Sequence, residues 1–298
     1  MEHIQLKPII KWAGGKSRLI NKFLPYFPAE FNNYHEPFLG SGAVFFSLFN
    51  EIASRKAKAY ISDLNDELIN LYEVVRDDVE GIIKVSKEHI YDRDYYYYIR
   101  SLDPDKLSRT KRASRMLYLN KTCFNGLWRV NSSGQFNVAF GNYTNPKIVD
   151  VPVLRSASSV FKQAKLYCGD FEEVVLENAK SGDFVYLDPP YVPLSSTANF
   201  TGYTPYSFAK DDHLRLKRVF TQLVKRGCFV ALSNSNTEMA KELYEGYNIK
   251  TVSATRAINC NTQKRGAIQE LLILSYPDEL SRYNYRPLCS INFSTSHI

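Results

Sequence analysis

The residues from Asp183 to Leu194, DFVYLDPPYVPL, join a short apolar run to a polar, proline-rich one. The apolar run Phe-Val-Tyr-Leu predicts a buried strand. That strand ends at Asp188, because Pro189 and Pro190 have no N–H group to donate to a sheet ladder. The same pattern is an ordinary strand terminator, so this stretch alone supports a structural interpretation as well as a functional one.

Strand and helix signals alternate on both sides of a block with a different composition. Strands are predicted near 34–38, 59–62, 165–168, 183–188, 228–233, 249–254 and 268–276. Helices are predicted up to residue 27, from 40 to 53, and at 65–75, 153–163, 171–179, 208–226 and 237–245. The repeated βα units predict an α/β fold with one parallel sheet. The last strand follows a short connection, so we expect it to pair antiparallel.

The block between the two βα parts is predicted to be an insertion of about 75 residues. Residues 76–119 read as wholly helical, and the four tyrosines at 95–98 are interpreted as helix-packing residues. Residues 127–141 alternate around Ser132-Ser133-Gly134, a hairpin turn signal.

Length and composition restrict the class of protein. The chain has 298 residues, of which 44% are apolar and 23% charged, as in a globular protein with a substantial core. Its five cysteines contain no C-x-x-C pair, so no zinc or other metal site and no disulfide framework is indicated, and free thiols fit a reducing cytosol. The N-terminus carries Glu2, Lys7 and Lys11 and lacks an apolar core, so no signal peptide is expected. No apolar run approaches the roughly 18 residues of a membrane helix. We expect a cytoplasmic protein, and, without a heptad seam, a monomer.

The excess of positive charge, +7 over the chain, can be assigned to one segment. Residues 106–149 contain eight Lys or Arg residues and neither Asp nor Glu. Six asparagines and several aromatic residues are interleaved with them. Basic groups for phosphates, amides for base edges and rings for stacking are the residue types of a nucleic-acid surface. A solvated basic helix followed by an ordinary hairpin is the structural alternative.

A glycine motif, EPFLGSG at residues 36–42, lies between the first strand and its helix. Gly40 and Gly42 allow a ligand to approach the backbone, and the start of the helix offers free N–H groups. Asp63 ends the next strand, where an acid can accept both hydroxyls of a ribose. The arrangement suits the adenosine of either NAD or S-adenosylmethionine, but Phe45 replaces the third glycine of the dinucleotide fingerprint.

A second glycine motif, KWAGGKS at residues 11–17, matches only the end of a phosphate loop. Ile10 stands where the first glycine of that loop belongs, so we do not expect a nucleotide triphosphatase. For a cationic sulfonium ligand with a carboxylate, Trp12 would form a wall of the site and Lys16 a counter-charge. The structural alternative is a helix N-terminus with a packing tryptophan.

Asp-Pro-Pro-Tyr at residues 188–191 has the groups needed to activate an amine on a planar ring. The exocyclic amines of adenine and cytosine are poor nucleophiles, because their lone pair is delocalised into the ring. Asp188 and the carbonyl of Pro189 would accept the two amine hydrogens and favour the tetrahedral nitrogen of the transition state, while Tyr191 stacks on the base. Because the amine is paired inside a duplex, the base must first be flipped out.

In combination, the two glycine motifs, Asp63, the 188–191 motif and the basic segment resemble the Dam-type (D12 class) DNA adenine-N6 methyltransferases over residues 7–276. The resemblance implies a seven-stranded, mostly parallel, Rossmann-like sheet with S-adenosylmethionine as methyl donor and S-adenosylhomocysteine as product. It also implies a mainly helical target-recognition domain, carrying a β-hairpin, inserted after the second strand. The implied division is a catalytic domain at 1–72 and 148–276, the inserted domain at 73–147 and a peripheral tail at 277–298.

The resemblance also implies three sets of site residues. The catalytic set is Asp188, Pro189 and Tyr191. The donor-binding set is Lys11, Trp12, Lys16, Phe38, Gly40, Gly42, Asp63, Asp170, Phe171 and Asp188. The DNA-binding set is Lys121, Phe124, Asn125, Leu127, Arg129, Asn142, Tyr143, Phe200 and Tyr203.

Residues 121–143 look like the family's reader hairpin, and this name is kept for them below. Phe124, Asn125 and Leu127 match positions that enter the duplex and fill the space left by the flipped base. Arg129 matches the arginine that reads the first guanine, which makes GATC the expected target.

Two further features follow from the resemblance. The loop 195–206, with Phe200 and Tyr203, looks like the family's lid over the target base. Ala139 and Asn142 stand where many members have Pro and Arg, so flank preference and the outer bases of the target stay open.

A site-specific adenine-N6 methyltransferase acting on duplex DNA is the leading hypothesis. The alternatives are an amino-methyltransferase acting on cytosine N4 or on RNA, and a DNA-binding regulator with a vestigial donor pocket. A nicotinamide oxidoreductase is an outsider, because no hydride-transfer site is visible. A restriction endonuclease, if one accompanies the protein, is expected on a separate chain. We expect a cytoplasmic, nucleoid-associated protein, whose role in self-protection or in marking DNA stays open.

Overall fold

Within residues 6–191, 208–254 and 268–282, which the computed structural model describes, the chain forms seven β-strands and ten α-helices. The strands are β1 (Tyr34–Glu36), β2 (Ala59–Asp63), β3 (Ala164–Cys168), β4 (Phe184–Leu187), β5 (Phe229–Ser235), β6 (Asn248–Ala254) and β7 (Ile268–Leu274). The helices are α1 (Ile20–Phe23), α2 (Ala43–Ser54), α3 (Asp66–Asp77), α4 (Val79–Ser86), α5 (Arg93–Ser101), α6 (Arg109–Thr122), α7 (Val151–Phe161), α8 (Phe171–Asn178), α9 (Lys210–Lys225) and α10 (Glu238–Leu243).

The strands form one sheet in the order β3-β2-β1-β4-β5-β7-β6. The first five strands pair parallel, with Tyr34 of β1 opposite Ala59 of β2 on one side and Phe184 of β4 on the other. β7 runs antiparallel to both β5 and β6, as expected for a strand after a short connection. The predicted fold class, a seven-stranded and mostly parallel α/β sheet, is confirmed.

Strand β4 shows how the sheet divides the core into two halves. Phe184 and Tyr186 belong to one apolar cluster and Val185 and Leu187 to the other, because successive side chains of a strand point to opposite faces. Helices α1–α7 cover the first face, and α8–α10 cover the second. Both faces are buried, which explains why the strand is a continuous apolar run.

The residues predicted to form an inserted domain share the core of the first face. Ile82 of α4, Tyr96 of α5 and Met116 of α6 belong to the same cluster as Phe161 of α7. Helix α6 packs against α3 and α4. The predicted boundary between residues 72 and 73 falls inside α3, and the division into domains stays a prediction.

The uninterrupted helical reading of residues 76–119 is wrong, because this segment contains separate helices and a 3₁₀ turn at Pro104–Lys106. Asp78, Asp92 and Ser108 each accept a hydrogen bond from the backbone N–H three residues further on and so begin α4, α5 and α6. Such side chains cap a new helix instead of continuing an old one. The predicted helix before residue 27 is likewise broken, into α1 and two 3₁₀ turns.

The predicted hairpin is present at residues 123–140. It is held by isolated antiparallel bridges, Val130 with Phe136 and Cys123 with Phe140, rather than by regular strands. The side-chain oxygen of Asn131 accepts hydrogen bonds from two backbone N–H groups of the predicted turn, at 3.0 and 2.9 Å. This local bonding of an Asn to its own turn explains why the chain reverses there.

The described part of the predicted tail, residues 277–282, is held against β6 and α2 by ion pairs. Lys250 of β6 pairs with Asp278 at 2.6 Å, and Arg282 pairs with Glu51 of α2 at 2.6 Å. Residues 283–298 lie outside the described part of the chain.

Asp183, the first residue of the stretch quoted above, anchors β4 rather than the site. It is buried, and its carboxylate accepts hydrogen bonds from His35 Nε2 at 2.8 Å, from Lys180 N at 2.9 Å and from the backbone and side-chain nitrogens of Asn33. Burial alone would raise the pKa of Asp183, but these bonds outweigh burial and lower its pKa. The ionised carboxylate therefore stabilises the entry to β4.

We expect Asp183→Asn to lower the free energy of unfolding by about 2–4 kcal/mol at neutral pH, because the amide leaves buried donors unpaired. The pKa of Asp183 is depressed in the folded state, so its stabilisation is present above the unfolded value of about 4 and is lost as the pH falls through the folded value. Urea unfolding at pH 7 and below pH 4 measures both effects. Asp94→Asn, at an exposed position of α5, is the control and should change stability by less than about 0.5 kcal/mol. Equal stability of the two variants at pH 7 would contradict the assignment.

Candidate active site

The predicted site residues converge where the carboxyl ends of β1, β2, β3 and β4 meet. The chain runs from β1 to one side of the sheet and from β4 to the other, so the strand order reverses between these two strands. A crevice at such a reversal is the usual ligand site of a doubly wound sheet. Asp188 directly follows β4, and Asp63 is the last residue of β2.

Asp188 is held by a buried cation and a hydroxyl. Lys16 Nζ lies 2.8 Å from Asp188 Oδ1, and the Lys16 side chain is only 3% exposed. Ser233 of β5 donates a hydrogen bond to the same oxygen at 2.7 Å, and its hydroxyl also contacts that of Tyr186 at 3.0 Å. The orientation of the carboxylate is therefore fixed by contacts from outside its own loop.

Two contacts hold the side chain of Tyr191, one on the face of its ring and one at its hydroxyl. The ammonium of Lys16 lies 4.6 Å from the centroid of the Tyr191 ring. The Tyr191 hydroxyl donates a hydrogen bond to Glu270 Oε2 of β7 at 2.6 Å. Burial, followed by the charge of Asp188, raises the pKa of Tyr191 well above its usual value, so the hydroxyl keeps its proton and remains a donor.

Glu36, the last residue of β1, is a second buried carboxyl near Asp188. Burial raises its pKa to about 8, although the hydroxyl of Tyr34, which donates at 2.7 Å, and the backbone N–H of Phe45 act in the opposite direction. The Phe45 N–H belongs to the first turn of α2, so Glu36 lies under the start of that helix. At neutral pH Glu36 therefore mostly carries a proton, and Asp188 faces little repulsion from it.

The loop after β1 forms a cradle around Gly40. Its backbone N–H donates to Asp63 Oδ2 at 2.9 Å, and its carbonyl accepts from the hydroxyl of Tyr72 at 2.6 Å. Gly40 has a φ of 48°, and a Cβ added to it would lie 2.8 Å from Trp12 Cδ1. Glycine is thus required there, both for the backbone conformation and for the approach of the tryptophan.

An aromatic cluster lies beside this cradle. Phe38 stacks on Phe171 with ring centroids 5.0 Å apart, and Phe208 meets Phe38 edge-on at 6.0 Å. Asp170 begins α8 and pairs with Arg215 of α9, whose guanidinium lies 4.4 Å from the centroid of Phe171. The rings of Phe38 and Phe171 contact each other directly, so an adenine would pack against the outside of this cluster and not between them.

The cradle fits the adenosine of S-adenosylmethionine. Asp63 is partly exposed at the end of β2, and burial raises its pKa while bonds from Asn65 N and Gly40 N lower it. Each carboxylate oxygen can accept a second hydrogen bond, so the two existing ones leave capacity for ribose hydroxyls. Gly42, with a φ of 71°, precedes the first turn of α2 and keeps the approach to its N–H groups open.

Lys11 and Trp12 connect the cradle to the reader hairpin. The ring of Trp12 stacks on Trp128 at 6.4 Å. The backbone N–H and carbonyl of Lys11 are both bonded to the side chain of Asn120, at 2.9 and 2.7 Å. The ammonium of Lys11 lies over the ring of Tyr143, at 5.2 Å, so the structure places this predicted donor residue against the hairpin.

The tip of the reader hairpin presents the residues predicted to enter a duplex. Phe124 is 54% exposed, although it is a large apolar side chain. Asn125 adopts a left-handed conformation with φ 56°, which Asn tolerates better than most residues, and is exposed. Leu127 is half-buried behind them. An exposed ring at a tight, ordered turn indicates a contact surface rather than a core position.

The remaining hairpin residues divide between exposed and structural positions. Arg129 is exposed and donates from Nε to Asn137 at 2.7 Å, and Asn142 is also exposed. Tyr143 is tied inward, because its hydroxyl donates to the carbonyl of Cys123 at 2.8 Å. Burial, and then the charge of Lys11, lowers the pKa of Lys121 to about 8.

The structure also shows that part of the basic segment is structural. Arg112 pairs with Asp66 and Glu67, and Arg109 pairs with Glu73 at 2.6 Å. Among the described residues these partners all lie outside the segment, which explains why its own sequence contains no acids. Lys111, Lys121 and Arg129 form no ion pair with any residue of the described ranges, and they are therefore the cations best suited to contact DNA.

Several residues of the site were missed from the sequence. Ser233 and Glu270 hold the 188–191 motif, and Arg215 and Phe208 complete the aromatic cluster. The polar run Ser-Asn-Ser at 233–235, at the end of an otherwise apolar strand beside β4, is a signal that could have revealed Ser233. The predicted lid residues Phe200 and Tyr203 lie outside the described residues.

Two features are absent from the described ranges, residues 6–191, 208–254 and 268–282. No group of three or more His, Cys, Asp or Glu residues there is arranged to hold a metal ion. None of the helices there is both long and apolar enough to cross a membrane.

Comparison with known proteins identifies the class of protein. Residues 12–258 match the profile of the D12 class N6 adenine-specific DNA methyltransferases. The chain is 43% identical to the Type II methyltransferase M1.LlaDCHI of Lactococcus lactis subsp. cremoris, over 92% of this chain and 96% of that protein. It is 41% identical to the Type II methyltransferase M.MjaIII of Methanocaldococcus jannaschii, over 92% and 100%. It is 34% identical to the DNA adenine methylase of Haemophilus influenzae, over 90% and 93%.

The chain belongs to the D12 class N6 adenine-specific DNA methyltransferases. It is an adenine-N6 methyltransferase that acts on DNA, and its family uses S-adenosylmethionine. The resemblance drawn from the sequence is thereby confirmed, whereas the roles of individual site residues stay predictions.

The pairing of Lys16 with Asp188 leads to a prediction that separates two roles for Lys16. If Lys16 mainly holds Asp188, Lys16→Met should lower kcat by roughly 100-fold, as loss of one preorganised polar contact does, and change the Kd of the donor by less than about threefold. Single-turnover kinetics and calorimetric titration of S-adenosylmethionine measure the two quantities. Lys22→Met, at an exposed position of α1, is the control. A large loss of donor affinity with kcat preserved would instead support the counter-charge role.

Proposed function

We propose that the protein transfers a methyl group from S-adenosylmethionine to N6 of an adenine flipped out of duplex DNA, within the sequence GATC. The observation that carries this proposal is the fixed carboxylate of Asp188, held by Lys16 and Ser233 immediately before Pro189 and beside the ring of Tyr191. The methyl donor would occupy the cradle formed by Trp12, Gly40 and Asp63, with its adenine against the aromatic cluster of Phe38, Phe171 and Phe208.

The donor would supply an electrophilic methyl group, and the chain's own groups would prepare the amine. Both contacts to Asp188 fall on Oδ1, so Oδ2 is the oxygen that we propose accepts one N6 hydrogen. The carbonyl of Pro189 accepts the other, in a loop that two prolines make rigid. These acceptors favour the tetrahedral nitrogen of the transition state, and Tyr191 stacks on the base.

The reader hairpin supports the proposal that the base is flipped. An adenine amine cannot be reached inside the duplex, and extrusion of the base costs a few kcal/mol of stacking and pairing. Phe124 and Leu127 at the hairpin tip offer apolar groups that would fill the vacated space and offset that cost. Phe200 and Tyr203 would close over the flipped base.

The proposed target GATC rests on the reader hairpin and on the resemblance of its residues to those of the family. Arg129 is exposed and free of ion pairs with the described residues, and an arginine can read the O6 and N7 atoms of guanine with two hydrogen bonds. Its bond to Asn137 would have to rotate or be shared when it binds a base. Asn142 would contact the duplex nearby, with an amide in place of the usual arginine.

The biological setting is also a proposal. Two relatives are named Type II methyltransferases, which supports a restriction-modification system whose endonuclease is a separate chain. The protein would then work as a monomer on nucleoid DNA in the cytoplasm. Residues 73–147 would act as the target-recognition part, and residues 1–72 and 148–276 as the catalytic part.

Methyl transfer from labelled S-adenosylmethionine to short duplexes tests the proposed function. We expect transfer to a duplex with GATC and none to matched duplexes with GTTC or GATG. Asp188→Ala should abolish transfer to GATC but retain DNA binding, because the carboxylate acts on the extruded amine. Loss of DNA binding together with transfer would contradict the catalytic role of Asp188. Transfer to the GTTC duplex, or to none of the three, would overturn the target.

Arg129→Ala tests the reading of the first guanine. We expect the ratio of kcat/KM for GATC over AATC to fall by roughly 5- to 150-fold, which corresponds to the 1–3 kcal/mol of one Arg–guanine pair. Lys111→Ala, which removes an exposed cation of α6, is the matched control and should leave this ratio unchanged. A uniform decrease on both duplexes in Arg129→Ala would mark Arg129 as a phosphate contact.

A further inference from the structure

We propose that Glu270 is a positioning residue for the methyl-transfer reaction. Its hydrogen bond with the Tyr191 hydroxyl fixes the ring of Tyr191 and thereby sets the plane in which the target adenine stacks. The proposal rests on the proposed function, because it assumes that Tyr191 stacks on the flipped base. It assigns a role to β7, the last strand along the chain, in which Glu270 lies 79 residues beyond Tyr191.

The position of Glu270 in the sheet makes it a rigid support. It lies in β7, opposite Ser235 of β5 on one side and Val252 of β6 on the other. Strand β7 is thus hydrogen-bonded along both edges and cannot shift easily. The four residues that follow Glu270, 271–274, are all apolar and fully buried.

A carboxylate at this place destabilises the folded state unless a hydrogen bond or a nearby charge offsets its burial. Burial raises the pKa of Glu270, whereas the charge of Lys16 and the hydrogen bond from Tyr191 lower it. A half-buried acid at the start of an apolar strand is less favourable for folding than another apolar side chain. Within the described residues, its bonded partner is the hydroxyl of Tyr191, so the cost is explained by that contact.

Tyr191 needs such a support because its own loop does not supply one. It follows two prolines after the end of β4 and belongs to no helix or strand. The bond to Glu270 measures 2.6 Å, the usual length of a hydroxyl bond to an ionised acceptor and stronger than a neutral one. It holds the hydroxyl end of the ring, which moves furthest when the side chain turns about its Cα–Cβ bond. Because a phenolic O–H prefers to lie in the plane of its ring, the bond also favours one orientation of that plane.

The contacts of Tyr191 also decide which face of the ring is available. Lys16 lies over one face at 4.6 Å, while it pairs with Asp188 at 2.8 Å. A base can therefore stack only on the opposite face. The same cation orients the carboxylate and closes one side of the ring, so the stacking plane and the amine acceptor are fixed relative to each other.

The test compares Glu270→Ala, Glu270→Gln, Tyr191→Phe and the double variant Glu270→Ala/Tyr191→Phe. We expect Glu270→Ala and Tyr191→Phe each to lower the single-turnover rate on GATC duplex by roughly 10-fold, as loss of one hydrogen bond of this type does. The double variant should be no slower than either single one, because both substitutions remove the same bond. Glu270→Gln should keep most of the rate, because its amide oxygen still accepts from the hydroxyl.

A second measurement reports on the base rather than on the rate. In a duplex with 2-aminopurine at the target adenine, stacking on Tyr191 quenches the fluorescence of the extruded base. We expect Glu270→Ala and Tyr191→Phe to increase this fluorescence by a similar factor, with the Kd for DNA and the Kd for the donor unchanged. A residue needed only for folding would not change the fluorescence in this way. Gln269→Ala, the exposed neighbour on β7, is the control and should resemble the wild type.

Three results would overturn the proposal. These are multiplicative losses of rate in the double variant, unchanged fluorescence in Glu270→Ala, or a loss in Glu270→Gln as large as that in Glu270→Ala. Should Glu270→Ala not fold, Glu270→Gln and Tyr191→Phe decide the matter, since they must then respectively keep and lose the rate. If the wild type transfers no methyl group to any duplex, the proposed function fails, whereas failure of this proposal leaves wild-type transfer intact.

Discussion

The ion pair between Lys16 and Asp188 is the contact on which the rest of the site depends. It joins the N-terminal segment, far away in sequence, to the end of the central strand β4. A buried ammonium is stable only with a well-placed anion, and an isolated buried carboxylate is equally costly, so each group requires the other. The Ser233 hydroxyl and the ring of Tyr191 complete the surroundings of the pair. The carboxylate is consequently oriented before any substrate arrives.

The same N-terminal segment connects the cradle around Gly40 to the reader hairpin. Trp12 approaches Gly40 of the cradle on one side and stacks on Trp128 of the reader hairpin on the other. Lys11, its neighbour, is bonded through its backbone to Asn120 at the end of α6. The inserted residues also share their apolar core with the first face of the sheet. The reader hairpin thus packs on the same apolar core as the first face of the sheet. Its tip therefore has a defined position relative to Asp188.

Three carboxyl groups lie on β1 and at the two ends of β4, and their surroundings give them different properties. Glu36 has a pKa raised to about 8 by burial and is mostly neutral at pH 7. Asp183 is ionised, but its oxygens accept hydrogen bonds from His35, Asn33 and Lys180 at the opposite end of β4. Asp188 pairs with the buried ammonium of Lys16 and lies at the crevice. Two acids of one short stretch therefore have different surroundings: Asp183 stabilises the entry to β4, and Asp188 is the acid that we propose acts on the amine.

The sequence by itself determined the order of strands and helices, the antiparallel last strand and the family, because these follow from apolar runs, turn residues and short motifs that are local. It did not reveal the breaks between α4, α5 and α6, since a capping Asp or Ser looks like any polar residue on a helix until the fold directs it to the backbone. Nor did it reveal Ser233, Glu270 or Arg215, or the structural use of Arg112. Those assignments depend on partners distant in sequence, and only the order of strands in the sheet brings β5 beside β4 and β7 beside β5. The motifs could state which chemistry is performed, but the tertiary structure alone decided which side chains hold them in place.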